Sequence, residues 1–290
     1  MTLDRVLRLR PESSAIKLHR KNVFGRTMDH QQSTTLAGAD KDRLYQAAEV
    51  LMEARRTLQP IDDLPSALRP KTLEEAYYVQ DLMLQALGTV GGWKVGAPTP
   101  EATPLYAPMP LVGVAASGDS IAKQFRRLRG VEAEIAFLIG KDLPPRSTPY
   151  SRDELVAAIA SCHPAIELLE SALRDPDAAD RLTAIADLQS NGGFVPGKAV
   201  EGWQNLNFAN ETAEMNVDGF VRVANGKNSA GGDLLRLVLW LANEAQGRTG
   251  GLRAGQWVTT GSWTGKILAD SGSAVVARFP RFGEARVHFA

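Results

Sequence analysis

From Lys41 the chain carries a helical period. Leu44, Ala47, Ala48, Leu51 and Met52 recur at three- and four-residue steps as one buried stripe, and Pro60 ends the segment. A second stripe of Ala76, Val79, Leu82, Met83 and Ala86 follows Thr72-Leu73-Glu74-Glu75, the spacing of a capping box. Beyond residue 90 the period shortens. Strands are predicted at Gly92–Gly96, Leu111–Ala115, Glu132–Ile139, Ala165–Leu169, Gly193–Val195, Thr212–Val217, Phe220–Asn225, Gln256–Thr260, Ala274–Phe279 and Ala285–Phe289. Asp218-Gly219 reads as a two-residue hairpin turn between two of them. Helices are predicted at Ser151–Ser161 and at Gly232–Gln246, the latter apolar on most sides and therefore buried.

There is no alternation of strand and crossover helix, no G-x-G-x-x-G after a strand and no P-loop, which argues against a nucleotide-binding sheet. The pattern predicts an α+β protein. A helical part over 39–90 leads into a rolled, mainly antiparallel β core over 91–290. Residues 1–38 stand apart as a flexible N-terminal extension: Arg5, Arg8, Arg10, Lys17, Arg20, Lys21 and Arg26 face only Asp4, Glu12 and Asp29, and no apolar period is sustained. Such a segment also suits an organelle transit peptide or an arm that orders on a neighbouring subunit.

Composition narrows the chemistry. Thirty-three basic side chains balance thirty-three acidic ones, a net charge of zero that argues against a nucleic-acid surface and favours association. One cysteine, Cys162, excludes an intrachain disulfide and a cysteine-rich zinc site. His19, His30, His163 and His288 have no ligand spacing, so a metal here would be held by oxygen, which selects Mg²⁺, Mn²⁺ or Ca²⁺. The longest apolar runs, Leu155 to Ala160 and Leu237 to Ala242, are too short to span a bilayer, and the first forty residues lack a signal-peptide core. The expected setting is the cytoplasm, away from membranes.

The candidate chemistry lies in Gly130-Val131-Glu132-Ala133-Glu134-Ile135-Ala136-Phe137-Leu138-Ile139. Residues two apart on a strand share a face, so Glu132 and Glu134 project together ahead of a run too apolar for a solvated edge. Two like charges there repel and are costly to desolvate, and a dication removes that cost. At a strand end facing water the same pair would mean nothing. Glu167 is a third candidate, a lone acid in the apolar run Pro164-Ala165-Ile166-Glu167-Leu168-Leu169; Glu170 is its alternative but would face the other way.

Five motifs occur in order: Gly92-Trp93-Lys94-Val95-Gly96, the Glu132-x-Glu134 strand, Ala165-Ile166-Glu167, Ala186-Asp187 through Gly193, and Thr259-Thr260-Gly261-Ser262-Trp263-Thr264. On these the chain, from about Ala39 to its end, resembles the 2-keto-4-pentenoate hydratase family of the fumarylacetoacetate hydrolase-like superfamily. The resemblance implies the C-terminal fold of that superfamily for the β core. It implies Mg²⁺ or Mn²⁺ on Glu132, Glu134 and Glu167, and a small 2-oxo acid chelating the ion. It gives catalytic roles to Lys94, Asp187 and Ser190, and substrate contacts to Thr260, Ser262 and Thr264. A homo-oligomer and a place in the catabolism of aromatic compounds are implied as well.

Two positions depart from the family pattern. Leu105, in Pro104-Leu105-Tyr106-Ala107, stands where the hydratases carry an acid, and Leu188 stands for an asparagine in Ala186-Asp187-Leu188-Gln189-Ser190. Both changes are expected to make the pocket more apolar. His163, near the third glutamate, is read first as a satisfied core residue and only second as an acid or base; Cys162 is read as a buried small residue. The implied activity is that of a metal-dependent lyase: hydration of a 2-oxo-alkenoate or a related decarboxylation, through a metal-bound enolate. A hydrolase cleaving acylpyruvate- or fumarylpyruvate-type C–C bonds is the near alternative, but no histidine occurs between Lys41 and Leu87 to activate water. The other alternative is a catalytically impaired homologue that only binds 2-oxo acids, which Leu105 and Leu188 would favour.

Overall fold

The structure, a computed structural model, describes residues 38–122 and 127–290. The expected extension over 1–38 lies outside the described residues, save for Gly38. Two helices open the described chain, α1 (Gly38–Thr57) and α2 (Leu73–Leu87). Their predicted stripes are buried against each other: Leu44, Ala47, Leu51, Ala76, Val79 and Met83 share one apolar cluster. The Thr72 side chain accepts the Glu75 N–H at 3.2 Å and caps α2. Glu75 then departs from the capping-box pattern. Its carboxylate accepts the Lys71 N–H at 2.7 Å and pairs with Arg43 of α1 at 2.7 Å, so the cap also ties the two helices together.

The remainder forms two sheets. The larger has the order β2 (Leu105–Pro110), β1 (Val90–Gly96), β9 (Trp257–Thr259), β4 (Gly130–Ile139), β5 (Ile159–Leu169), β6 (Asn191–Pro196), with the short β10 (Ile267–Leu268) also on β4. The smaller has the order β3 (Ser120–Ile121), β12 (Gly283–Phe289), β11 (Ala274–Phe279), β7 (Ala213–Val217), β8 (Phe220–Gly226). Pairing is antiparallel except for β1 with β9 and β12 with β3, so the expected mainly antiparallel core is what forms. Asp218 and Gly219 join β7 to β8 with φ of 55° and 84°, the two positive values a type I′ turn requires.

Each face of β4 has its own task. Val131, Ala133, Ile135, Phe137 and Ile139 enter the main core, where the Phe137 ring meets Trp203 and Phe208 edge-on. The predicted buried helix is α5 (Leu234–Glu244), whose Leu234, Leu237, Val238 and Leu241 pack in that same core. Glu132, Glu134 and Ala136 occupy the opposite face of β4.

Three expectations change in register or type. Leu111–Ala115 is not a strand: Leu111–Gly113 is a 3-10 turn, and the strand lies earlier, at β2. The helix expected to reach Ser161 stops sooner, as α3 (Arg152–Ala158), and β5 begins at Ile159. A short helix, α4 (Arg181–Ala186), went unpredicted; Asp180 caps it by accepting from the Leu182 and Thr183 N–H groups. Among the described residues no helix is long and apolar enough to cross a membrane.

Candidate active site

Antiparallel register sets the centre. Glu132 of β4 stands directly opposite Glu167 of β5, and Glu134 opposite Ala165, so all three glutamates share one face. One carboxylate oxygen from each lies within 4.8 Å of the others. Glu134 and Glu167 are buried and Glu132 is partly so. The third candidate is therefore Glu167. Glu170 turns away, its carboxylate accepting the N–H groups of Arg127 and Leu128.

Every neighbour of these carboxylates orients an oxygen. Glu134 accepts from the Thr259 hydroxyl and from the Gly261 N–H at 3.0 Å. Glu167 Oε1 accepts from Asn191 Nδ2 at 2.9 Å and pairs with Lys94 Nζ at 2.8 Å. Its other oxygen, Oε2, is buried with no hydrogen-bond partner. A buried carboxylate oxygen without a donor is costly. Three converging hard oxygens and one orphaned lone-pair set are what Mg²⁺ or Mn²⁺ takes up, leaving open positions for water and a chelating ligand. The residues fit a divalent ion.

The electrostatics agree with that reading. Burial, then the neighbouring Glu167, pushes the Glu132 carboxyl up to about 7; Lys94, Ser262 and Lys266 act against the rise. Burial, then Glu167 and Glu132, pushes Glu134 well above the usual carboxylate range. Burial alone would lower the Lys94 ammonium, but Glu167, Glu132 and Glu134 outweigh it and raise the group, so it stays charged at neutral pH. Without an ion the site holds protons in its place.

Lys94 reaches this face because β1 runs beside β9, where Lys94 pairs with Thr259. Gly92, on the same face two residues back, is required there: a Cβ would strike the Trp257 carbonyl of β9 and the Met109 side chain. Nζ also donates to the Gln189 carbonyl at 3.1 Å. Gln189 lies in the run Leu188, Gln189 and Ser190, with φ of 52°, 49° and 59°, a left-handed path that no glycine marks in the sequence. Three successive non-glycine residues in the left-handed region cost about 1–3 kcal/mol each and persist only when their surroundings hold them.

The other residues singled out from sequence fall elsewhere in this arrangement. Asp187 is fully buried, with Arg55 Nε on Oδ1 at 2.5 Å and the Ser171 hydroxyl and Ala172 N–H on Oδ2 at 2.6 and 2.8 Å. Its carboxylate binds the protein rather than the site. Ser190 closes the left-handed turn, its carbonyl accepting from the Glu170 N–H. The Thr260 hydroxyl points inward to the Ile135 carbonyl, and Thr264 Oγ1 accepts the Ala133 N–H. Ser262 Oγ accepts from Gly265 N–H at 2.9 Å and bonds the Glu132 carboxyl, as the Gly261 N–H bonds Glu134. The loop's hydroxyls thus fix its shape against β4. His163 lies further along β5; its Nδ1 faces the Gly197 carbonyl and its Nε2 the Ser161 hydroxyl, and burial lowers its pKa, so it is a neutral, satisfied residue. Cys162 is a buried free thiol pushed up by burial.

Leu105, opposite Gly96 in the β1–β2 register, shares the sheet face of Lys94, and Leu188 precedes Gln189. Leu188 is buried, and both belong to the cluster formed by α1, α2 and α4. Sequence reasoning missed Asn191, Gln189 and Arg55. Asn191 and Gln189 both lie within the Ala186-to-Gly193 motif, but Gln189 acts through its backbone carbonyl and the Arg55 guanidinium mainly on backbone carbonyls, which carry no residue code.

Comparison with known proteins places this geometry. No family model matches the chain. It is 28% identical over 261 residues to the TodF product hydratase of Pseudomonas putida, covering 84% of this chain and 94% of that protein. It is 27% identical over 243 residues to a 2-hydroxyhexa-2,4-dienoate hydratase of Comamonas testosteroni, covering 79% and 88%. Among solved structures, 4-oxalocrotonate decarboxylase from Pseudomonas putida G7, complexed with magnesium and adipate, superposes with a TM-score of 0.75 at 22% identity, over 89% of this chain and all of that one. Along most of its length this chain is similar in sequence to 2-keto-4-pentenoate hydratases, and its fold is that of the fumarylacetoacetate hydrolase-like proteins.

Proposed function

We propose that this protein is a divalent-metal-dependent hydro-lyase acting on a small 2-oxo acid, by hydration of a 2-oxo-alkenoate or a related decarboxylation. The observation that carries the reading is the paired carboxylate set of Glu132, Glu134 and Glu167 with Lys94 at 2.8 Å and an orphaned oxygen on Glu167. We take these glutamates as the ligands of Mg²⁺ or Mn²⁺. The bound ion supplies positive charge that polarises the 2-oxo group. The chain supplies the rest. Asn191 and Lys94 occupy one oxygen of Glu167 and leave the other to point inward; Thr259 and Gly261 do the same for Glu134. Lys94, held as an ammonium, offers a proton and a charge to the side of the substrate it faces. The loop from Thr260 to Thr264 frames the substrate, with Ser262 as its contributing side chain, while Asp187 and Ser190 serve by holding the left-handed turn.

The wider setting is part of the same proposal. Residues 39–290 form the catalytic domain, with 1–38 as an extension. A homo-oligomer is supported by exposed Val112, Phe220 and Leu268 on a chain of zero net charge. A single buried free thiol suits the cytoplasm.

The test is direct. Protein loaded with Mg²⁺ or Mn²⁺ is mixed with 2-hydroxypenta-2,4-dienoate and the loss of dienol absorbance is followed. Turnover that needs the metal and disappears with Glu132→Ala is the expected result. No turnover, with tight oxalate binding retained, would overturn the hydratase reading and spare the site. Metal affinity unchanged in Glu132→Ala would overturn the site itself.

A further inference from the structure

The Lys94–Glu167 pair is held by two groups from one short segment, the Gln189 carbonyl and the Asn191 amide. That segment contains the left-handed run Leu188–Ser190, which needs an external hold. The hold comes from α1. Arg55, 14% exposed, spends its guanidinium on four hydrogen bonds: Nε to Asp187 Oδ1 at 2.5 Å, Nη2 to the carbonyls of Asp187 and Glu170 at 2.9 Å each, and Nη1 to the Asn191 carbonyl at 3.0 Å. Asp187 precedes the left-handed run and Asn191 follows it. One rigid fork therefore grips the turn at both ends and fastens it to Glu170, at the exit of β5, three residues beyond Glu167.

Two further contacts close the frame. Asp187 Oδ2 is taken by Ser171 and Ala172, and Gln189 Nε2 donates to the Tyr106 carbonyl of β2 at 3.0 Å. The turn is thus suspended between α1, β2 and β5, and what it presents to the site is one carbonyl and one amide.

We infer that Arg55 is a positioning residue for the active site: by gripping the Asp187-to-Asn191 turn it sets Gln189 O against Lys94 Nζ and Asn191 Nδ2 against Glu167 Oε1. The inference rests on the proposed function for its kinetic readout, but not for its metal readout. Lysine at position 55 keeps the charge beside Asp187 and cannot span both ends of the turn.

The experiment compares Arg55→Lys with Arg43→Lys. Arg43 lies on the same helix and pairs with Glu75 at 2.7 Å, remote from the carboxylates, so its variant reports general loosening of α1. Mg²⁺ affinity without substrate is measured by calorimetry, folding by circular dichroism, and kcat and KM with the dienoate. Arg55→Lys is expected to fold, to bind Mg²⁺ roughly fivefold or more weakly, and to lose kcat by at least tenfold with KM within threefold. Arg43→Lys is expected to leave all three near wild type. Folded Arg55→Lys with unchanged Mg²⁺ affinity overturns the inference, and so does an equal loss in Arg43→Lys. Where Arg55→Lys does not fold, the isosteric Asp187→Asn carries the test, with the same fall in Mg²⁺ affinity expected and an unchanged value overturning it. If wild type turns over no 2-oxo acid, the proposed function fails while the calorimetry still decides the role of Arg55.

Discussion

Glu132 offers a quantitative test of the site that requires no substrate. In the metal-free protein, burial and the facing Glu167 hold its carboxyl near 7, against an ordinary value of 4.5. Between those values the folded chain keeps a proton that the unfolded chain has released. Stability therefore falls as pH rises across that window. The contribution is fully present below about pH 4.5 and fully lost above about pH 7. Each pH unit is worth about 1.4 kcal/mol, so the gap of roughly 2.5 units amounts to about 3 kcal/mol. For a chain of this size that is a fall in Tm of about 6–12 °C.

The assay is thermal unfolding of chelator-treated protein from pH 5 to 8, beside Glu132→Gln, which keeps the shape and removes the titration. Subtracting the variant's curve cancels His163, whose lowered pKa acts in the opposite sense below pH 6.5. The difference should grow by about 3 kcal/mol across the window. Adding Mg²⁺ at one hundred times its Kd should restore about 2.7 kcal/mol to wild type at pH 8, and less at lower pH, where protons compete for the ligands. Parallel curves for wild type and Glu132→Gln across pH 5 to 8 would refute the argument, because an exposed carboxylate would give that result.

Two mutations probe the rest of the site. Lys94→Met should lower kcat by about 10²–10⁴-fold, the usual range for a lost proton-transfer group, while Mg²⁺ still binds by calorimetry. Gly92→Ala places a methyl group against the Trp257 carbonyl and Met109; it should destabilise the protein by about 1–3 kcal/mol in a denaturant melt and lower kcat through the shift of Lys94 two residues away.

How much of this was legible from the sequence depended on whether a side chain or the backbone carried the information. The glutamates were legible because a period of two and an apolar run fix both their common face and the cost of burying them. The helices α1 and α2 were legible from their stripes. Strand β2 was not, since Pro108 and Pro110 within it argue against a ladder; they are tolerated because β2 is the edge of its sheet, where a missing N–H breaks no pairing. The run Leu111–Ala115 is apolar enough for a short buried strand, yet Leu111 and Val112 are exposed on a 3-10 turn. The hydroxyls at Thr260 and Thr264 were legible as hydroxyls but not in their direction, which is set by β4 carbonyl and amide partners more than a hundred residues away.

Leu105 and Leu188 show why departures from a family pattern need coordinates. In sequence they are two polar groups lost from a pocket, which would weaken the case for catalysis twice over. In the fold both belong to one apolar cluster with Leu44, Leu51, Val79 and Met83. Leu188 is buried in that cluster, so an asparagine there would need partners the cluster does not supply, whereas Leu105 is only partly buried. The two leucines leave the glutamates together, with Lys94 and Asn191 on Glu167, so the metal site is separate from the question they raise, which is what reaches the far end of the substrate and which turnover of the dienoate answers.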